Sequence, residues 1–300
     1  MPGVDVGGGL PMIRVRALII ASHPLPCLAV AAMATLLTAE AAPPGFGSER
    51  LALVAMAMLA GQLSVGWSND AIDANRDATA ARTDKPTVTG LISVRSLWLG
   101  AAGALVVTLA LAAAISGVTL VIDAVTLAAA WAYNLGLKAT AWSGLTYALA
   151  FGLLPAYATS ALPGHPLPRL AVTIAAALLG LGAHFANVLP DLADDARSGV
   201  RGLPQRVAAG FGARAARGVA LILLLAASVL LLIAASPGRR WVAVVGLCAA
   251  CVLAVVGALG GGKVPFLAAI AIAGVDVAIF AAGGEALTAA GPLLVGSLGR

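Results

Sequence analysis

Charge is scarce in this chain. Only 10% of its 300 residues are Asp, Glu, Lys or Arg, against 61% hydrophobic residues, and the mean hydropathy is +1.00. A soluble domain carries about a quarter charged residues and needs them to cover its surface, so an ordinary water-soluble globule is excluded. Two-residue alternation of polar and apolar side chains is also missing, which excludes the strands of a membrane barrel. Cysteine is nearly absent. Cys27, Cys248 and Cys251 all sit inside apolar runs, and the i,i+3 pair Cys248/Cys251 has no further ligand types nearby. Packing is therefore expected of them rather than zinc or redox chemistry. The first dozen residues, with Gly7-Gly8-Gly9, lack the basic, apolar and cleavage regions of a signal peptide. They predict a flexible tail over 1–13 ahead of a single domain over 14–300.

What is present is a series of apolar runs rich in Ala, Leu, Val and Gly, each long enough to cross a ~30 Å hydrocarbon core. Backbone polar groups in lipid must be satisfied within the segment, so these runs are helices. The chain is an all-α polytopic membrane protein with about nine transmembrane spans, drawn roughly at 17–39, 51–68, 94–115, 119–137, 142–161, 168–190, 217–235, 240–260 and 264–287. Two connections are long, about 69–93 and 191–216, and they hold seven of the thirteen acids: Asp70, Asp73, Asp77, Asp84, Asp191, Asp194 and Asp195. They follow spans two and six, so both fall on one side of the membrane. With the N-terminus cytoplasmic, that side holds thirteen of the eighteen Lys and Arg residues, and the opposite side holds Arg50, Arg169, Arg239, Arg240 and Arg300. The positive-inside bias favours this orientation in the cell membrane. The four-span offset between the clusters also hints at a duplicated four-helix unit plus one helix.

The acids fall into two ladders. In Ser68-Asn69-Asp70-Ala71-Ile72-Asp73-Ala74-Asn75-Arg76-Asp77, residues Asn69, Asp73 and Asp77 lie at i, i+4 and i+8, on nearly one helix face, with Asp70 alongside. Asn187, Asp191 and Asp195 repeat the spacing. Helix capping and solvated loop charge explain one such cluster; two matching clusters on one membrane side point to a shared cation. Hard oxygen ligands in this number suit magnesium, which bridges to substrate phosphates. Asn69, Asp70, Asp73, Asp77, Asp191 and Asp195 are the expected metal-binding set. Arg76, Arg82 and Lys85 follow the first cluster and Arg197, Arg201 and Arg206 the second, and Lys138 is the only charge on its short connection. Arg or Lys aimed at a diphosphate stabilises charge as its C–O bond breaks. Arg82 and Lys85 stand beside the stiffening Pro86, although positive-inside decoration explains any one of these residues equally well.

At these residues the sequence resembles the UbiA superfamily of intramembrane prenyltransferases. The family's first motif, Asn-Asp-x2-Asp-x3-Asp, is met by Asn69-Asp70-x2-Asp73-x3-Asp77, and its second, Asp-x3-Asp, by Asp191-x3-Asp195. Gly199-x-x-Gly202-Leu203-Pro204 resembles the family's continuation, and Tyr133 and Lys138 stand where a Tyr and a Lys are common. The resemblance implies a nine-helix bundle around a central cavity, with a prenyl diphosphate held through magnesium at its mouth. It implies catalytic roles for Asp73, Asp77, Asp191, Asp195 and Lys138, and diphosphate contacts for Asn69, Arg82, Lys85, Tyr133, Asn187 and Arg201. The implied reaction is prenyl transfer to a lipophilic, often aromatic, acceptor. A membrane terpene cyclase and a phosphoribosyl transferase share the implied fold. A cation transporter, from another class, predicts acids spread along a transmembrane path, which the one-sided clustering opposes.

Among the remaining residues, Asp276 falls mid-span, where an acid is costly and function is the default expectation; a hydrogen-bonded structural acid is the alternative. Asp123 is expected near a helix end in interfacial water. His184 is expected to be packed or hydrogen-bonded, and Trp67, Trp142, Tyr147 and Tyr157 to be interfacial anchors or to line the cavity. His23-Pro24, Pro155 and Pro190 predict bent helices.

Overall fold

The computed structural model describes residues 9–192, 195 and 199–282. Among the described residues the regular elements are helical throughout. The single span expected over 17–39 is two helices, α1 (Gly9–Ala21) and α2 (Pro24–Ala41). His23 takes φ 56 and Pro24 has no N–H to give, so the chain turns an elbow here instead of merely kinking. α1 starts inside the stretch expected to be a tail.

α3 (Ser48–Thr79) runs for 32 residues. At 1.5 Å per residue that is about 48 Å, well beyond a ~30 Å hydrocarbon core. Its first twenty or so residues suffice to cross. The rest, from Asn69 on, carries the first acid ladder out of the apolar layer on one helix face, as its spacing predicts, so the connection drawn from about 69 starts only after Thr79. α4 (Val94–Ile115) and α5 (Gly117–Leu135) each start at a serine whose hydroxyl accepts a backbone N–H: Ser93 from Ser96 and Ser116 from Thr119. The span expected over 142–161 is divided into α6 (Ser143–Gly152) and α7 (Leu154–Ser160), with Pro155 in the first turn of α7. Pro190 does not bend α8 (Leu170–Val188) but lies beyond its end. The long second connection contains α9 (Leu203–Phe211), and α10 (Ala213–Ala234), α11 (Arg240–Leu259) and α12 (Val264–Ala281) complete the fold.

Among the described residues, eight helical segments are individually long and apolar enough to cross a membrane: α2, α3, α4, α5, α8, α10, α12 and the segment Pro237–Leu259 that contains α11. α6 and α7 together occupy the place of the remaining expected span. Neighbours in the chain pack on one another, α6 packs on α8, α8 on α10, and α12 returns to α2, so the spans close a ring. Small side chains such as Ala57, Ala158, Ala175, Ala227 and Ala250 fill the contacts, while Leu99, Val106, Val121 and Val245 point outward. That is the pattern of helices packed in lipid, where close approach replaces hydrophobic exclusion as the driving force.

Cations at the end away from the acid ladders tie helix ends together. Arg50 donates to the carbonyls of Ala161 and Ile115, and Arg169 to that of Ala234, filling acceptors that a helix C-terminus leaves open. Two expectations are corrected. Asp123 is not at the interface: it is buried and accepts from Thr108 Oγ1 at 2.9 Å. Of the cysteines only Cys27 is packed; Cys248 and Cys251 are exposed on α11.

Candidate functional site

The first ladder is an array of carboxylates, two of them held by cations. Lys138, on the turn after α5, donates to Asp73 Oδ1 at 2.6 Å and Oδ2 at 2.7 Å. Arg76, one helical turn along α3, donates to Asp73 Oδ2 at 2.9 Å. Asp70 is 1% exposed and accepts on Oδ1 from Lys85 at 2.6 Å and from His23 at 2.9 Å. Asp77 is buried as well, with its Oδ2 unpartnered. Asn69 donates to Asn134 Oδ1 at 3.1 Å, and Asn134 in turn donates to Ser68 Oγ and the Val65 carbonyl, which locks α5 to α3 just below the acids.

The second ladder begins where α8 ends. The Asp195 N–H donates to the Asp191 carbonyl at 2.8 Å, so the two acids stand one helical turn apart. Gln205, on α9, donates to Asp195 Oδ2 at 2.8 Å. Asn187, the third member, is exposed. The two ladders share neighbours. Tyr133 lies within electrostatic reach of both Asp73 and Asp195. Arg82 forms a two-pronged pair with Asp84 at 3.0 and 2.8 Å and holds that carboxyl below the usual carboxylate range. The pairing with Asp84 raises the guanidinium's own pKa, and Asp77 and Asp191 add to it from the two ladders.

The connection carrying the second ladder is pressed against the turn that carries Lys138. A Cβ on Gly202 would lie 2.6 Å from the Lys138 carbonyl oxygen and 3.0 Å from Ser143 Oγ, so a glycine is required for this approach. The Leu203 N–H donates to Ser143 Oγ at 2.8 Å, and the same hydroxyl meets His184 Nε2 at 3.0 Å. His184 stacks on Tyr147 with ring centroids 4.6 Å apart, and Tyr133 stands edge-on to both. The three rings thus pack as one cluster, with Tyr133 as the member that reaches both ladders. Beside the second ladder, a cavity of ≈ 430 Å³ opens between Leu189, Pro190, Arg217, Lys263 and Phe266.

The expected residues are therefore brought together unevenly. Asn69, Asp70, Asp73, Asp77, Lys138, Tyr133, Asp191 and Asp195 converge on one end of the bundle. Lys85 is turned inward onto Asp70, and Arg82 is on the surface. Arg201 is exposed, and its backbone carbonyl accepts from Arg206 Nε. Asp194 and Arg197 lie outside the described residues. Asn134, Ser143 and His23 contribute without having been singled out for the site, because their partners lie 65, 41 and 47 residues away, and so does Gln205, whose partner Asp195 is 10 residues back. The polar Asn134, at the end of an otherwise apolar run, was the one available signal.

Among the described residues, no three Asp, Glu, His or Cys side chains gather closely enough to enclose a metal ion unaided. The donor set nevertheless suits magnesium bridged to phosphate. Buried carboxylate oxygens Asp70 Oδ2 and Asp77 Oδ2 lack partners, and such hard anionic oxygens bind magnesium through few protein ligands, with phosphate oxygens completing the shell. Lys138 and Lys85 balance the charge of the other oxygens.

Comparison with known proteins bears on the fold and the family. A search of curated proteins by sequence gives no match. Among solved structures, a UbiA homolog from Archaeoglobus fulgidus bound to GPP and Mg2+ superposes with a TM-score of 0.69 at 17% identity, covering 90% of this chain and 99% of that one. A UbiA homolog from Aeropyrum pernix K1 in its apo form gives 0.67 at 20% identity, over 87% and 95%. A digeranylgeranylglyceryl phosphate synthase gives 0.69 at 14%, over 91% and 99%. These identities speak for the fold. The UbiA prenyltransferase family itself matches residues 26–261, a stretch that contains both acid ladders, and the chain belongs to that family.

Proposed function

We propose that this chain is a magnesium-dependent enzyme that moves a prenyl group from a prenyl diphosphate to a lipophilic, electron-rich aromatic acceptor within the membrane, releasing diphosphate. The observation that carries this reading is the convergence of two carboxylate ladders around Tyr133, with Lys138 bound to Asp73 between them. Solved relatives of the same fold bound to GPP or DMAPP with Mg2+ support the substrate class. The excess of Lys and Arg on the ladder side supports a cytoplasmic location for both motifs and the N-terminus.

Asn69, Asp70, Asp73, Asp77, Asp191 and Asp195 would hold the metal, which when bound neutralises the diphosphate and makes it a better leaving group. The chain's own residues do the rest. Lys138 and Arg76 sit on Asp73 and offer N–H donors to phosphate oxygens where negative charge builds as the C–O bond breaks. Arg82, on the surface between Asp77 and Asp191, offers a planar fork suited to the same group. Tyr133, Tyr147 and His184 close the polar mouth from the apolar bundle below, keep water from the allylic cation and present ring faces to it. Attack by the acceptor ring forms the new C–C bond, and loss of the ring proton restores aromaticity.

The test is incubation of purified protein with GPP, farnesyl and geranylgeranyl diphosphates, magnesium and a panel of aromatic acceptors. A prenylated acceptor supports transfer. Cyclised hydrocarbon formed without any acceptor contradicts it and assigns the fold to cyclisation.

A further inference from the structure

The elbow between α1 and α2 docks on α3 immediately before the first acid ladder. A Cβ on Gly66 would stand 2.5 Å from the Ser22 carbonyl oxygen, so the two backbones touch here. Trp67 Nε1 donates to the Leu18 carbonyl at 2.9 Å, and Cys27 Sγ donates to that of Ser22 at 2.8 Å. One turn further along α3, His23 Nε2 meets Asp70 Oδ1 at 2.9 Å.

The chemistry of this contact is constrained. Lys85 Nζ binds the same Oδ1 at 2.6 Å and lies 3.4 Å from His23 Nε2. A carboxylate only accepts, so the 2.9 Å contact with Asp70 requires the proton on His23 Nε2; Lys85, an ammonium that only donates, then makes no hydrogen bond to that nitrogen, and both donors converge on one oxygen. Asp70 Oδ2 is buried and unpartnered. The His23 side chain is 42% exposed, too much for packing to account for it. Its backbone holds φ 56, a conformation that a non-glycine residue keeps only where its surroundings impose it.

We infer that His23 is a positioning residue for the first acid motif: from the α1–α2 elbow it pins Asp70 Oδ1, so that Oδ2 is presented in a fixed direction to the divalent cation. This rests on the site reading proposed above. Lys85 alone does not fix the plane of the carboxylate, because its point charge sits on a flexible four-carbon stem. A second donor, anchored to a backbone that is itself locked onto α3, does. Outer hydrogen bonds of this kind orient the carboxylates that bind metals, and losing one typically weakens metal affinity about 10- to 100-fold.

The test is Mn2+ binding to the purified full-length protein in nanodiscs, followed by electron paramagnetic resonance without substrate and paired with thermal melts. His23→Ala is expected to weaken binding by about tenfold or more. His23→Gln, whose amide N–H can reach Asp70 from a comparable distance, is expected to restore most of it. Trp67→Phe removes the neighbouring elbow hydrogen bond without touching Asp70; it is expected to lower the melting temperature and leave Mn2+ affinity unchanged. Unchanged binding in His23→Ala, with binding lost in Asp70→Asn, overturns the positioning role alone. So does equal weakening in His23→Gln or in Trp67→Phe, which assigns the effect to elbow packing. Unchanged binding in Asp70→Asn instead overturns the site reading itself.

Discussion

Lys138 and Asp73 are joined by two hydrogen bonds, at 2.6 and 2.7 Å, across 65 residues of sequence. Their side chains are only 14% and 10% exposed. A charge-assisted pair this sheltered is worth more than a surface ion pair, and removing Lys138 leaves Asp73 with the half-exposed Arg76 alone. Lys138→Met is therefore expected to slow diphosphate release by about 10²–10³, the magnitude typical of losing one preorganised donor to a developing anion. Lys138→Arg, which keeps the charge but changes its shape, should retain part of the rate. Single-turnover assays with GPP measure both.

Gly202 controls how closely the second ladder approaches the first. Adding a methyl group there forces it against the Lys138 carbonyl and Gln205 Oε1, both within 2.7 Å of the added carbon. Gly202→Ala should destabilise this contact by about 1–3 kcal/mol, the usual cost of overpacking. It should also raise the concentration of prenyl diphosphate needed for half-maximal rate. Thermal melts and substrate titration report the two effects separately.

Asp276, the acid deep in α12, is fully buried and accepts a short hydrogen bond from Ser228 on α10, whose single hydroxyl proton is shared with the more distant Leu224 carbonyl. This favours a structural role for it. Asp276→Asn is expected to leave turnover within roughly threefold, whereas Asp276→Leu should lower stability by about 0.5–1.5 kcal/mol, the net worth of the lost hydrogen bond, because Ser228 keeps only the longer contact with the Leu224 carbonyl. A large loss of turnover in the Asn variant, with unchanged melting, places Asp276 in the reaction instead.

Chelation makes a further prediction. With divalent ions removed, Asp70 and Asp73 keep only their Lys, Arg and His partners, Asp77 Oδ2 has none, and three carboxylates repel an incoming diphosphate. Binding of a non-hydrolysable thio-diphosphate analogue, followed by calorimetry, should vanish in EDTA and return with magnesium. In Asp77→Asn it should return only at raised magnesium.

The ladders were legible because helical periodicity converts Asn-x3-Asp-x3-Asp into one face, and because hydropathy marks where an apolar span ends. The partners of the ladder residues were not. His23 and Lys85 are 47 and 15 residues from Asp70, and nothing in local pattern pairs them. The same holds for Asn134 with Asn69, Ser143 with His184, and Gln205 with Asp195. Asp123 was misplaced because hydropathy gives a helix's extent, not the depth of one face within a bundle. The broken first span was half legible: Pro24 marked the bend, but the left-handed turn at His23 comes from the docking of two backbones at Gly66 and Ser22.

The central claim is that the two ladders jointly hold a prenyl diphosphate for ionisation. The most direct measurement is magnesium-dependent diphosphate release from GPP by the parent protein and by Asp73→Asn and Asp195→Asn, one change in each ladder. Loss of release by about 10²-fold or more in each variant, with both proteins folded, is the predicted result. Parent-like release in either variant contradicts the account.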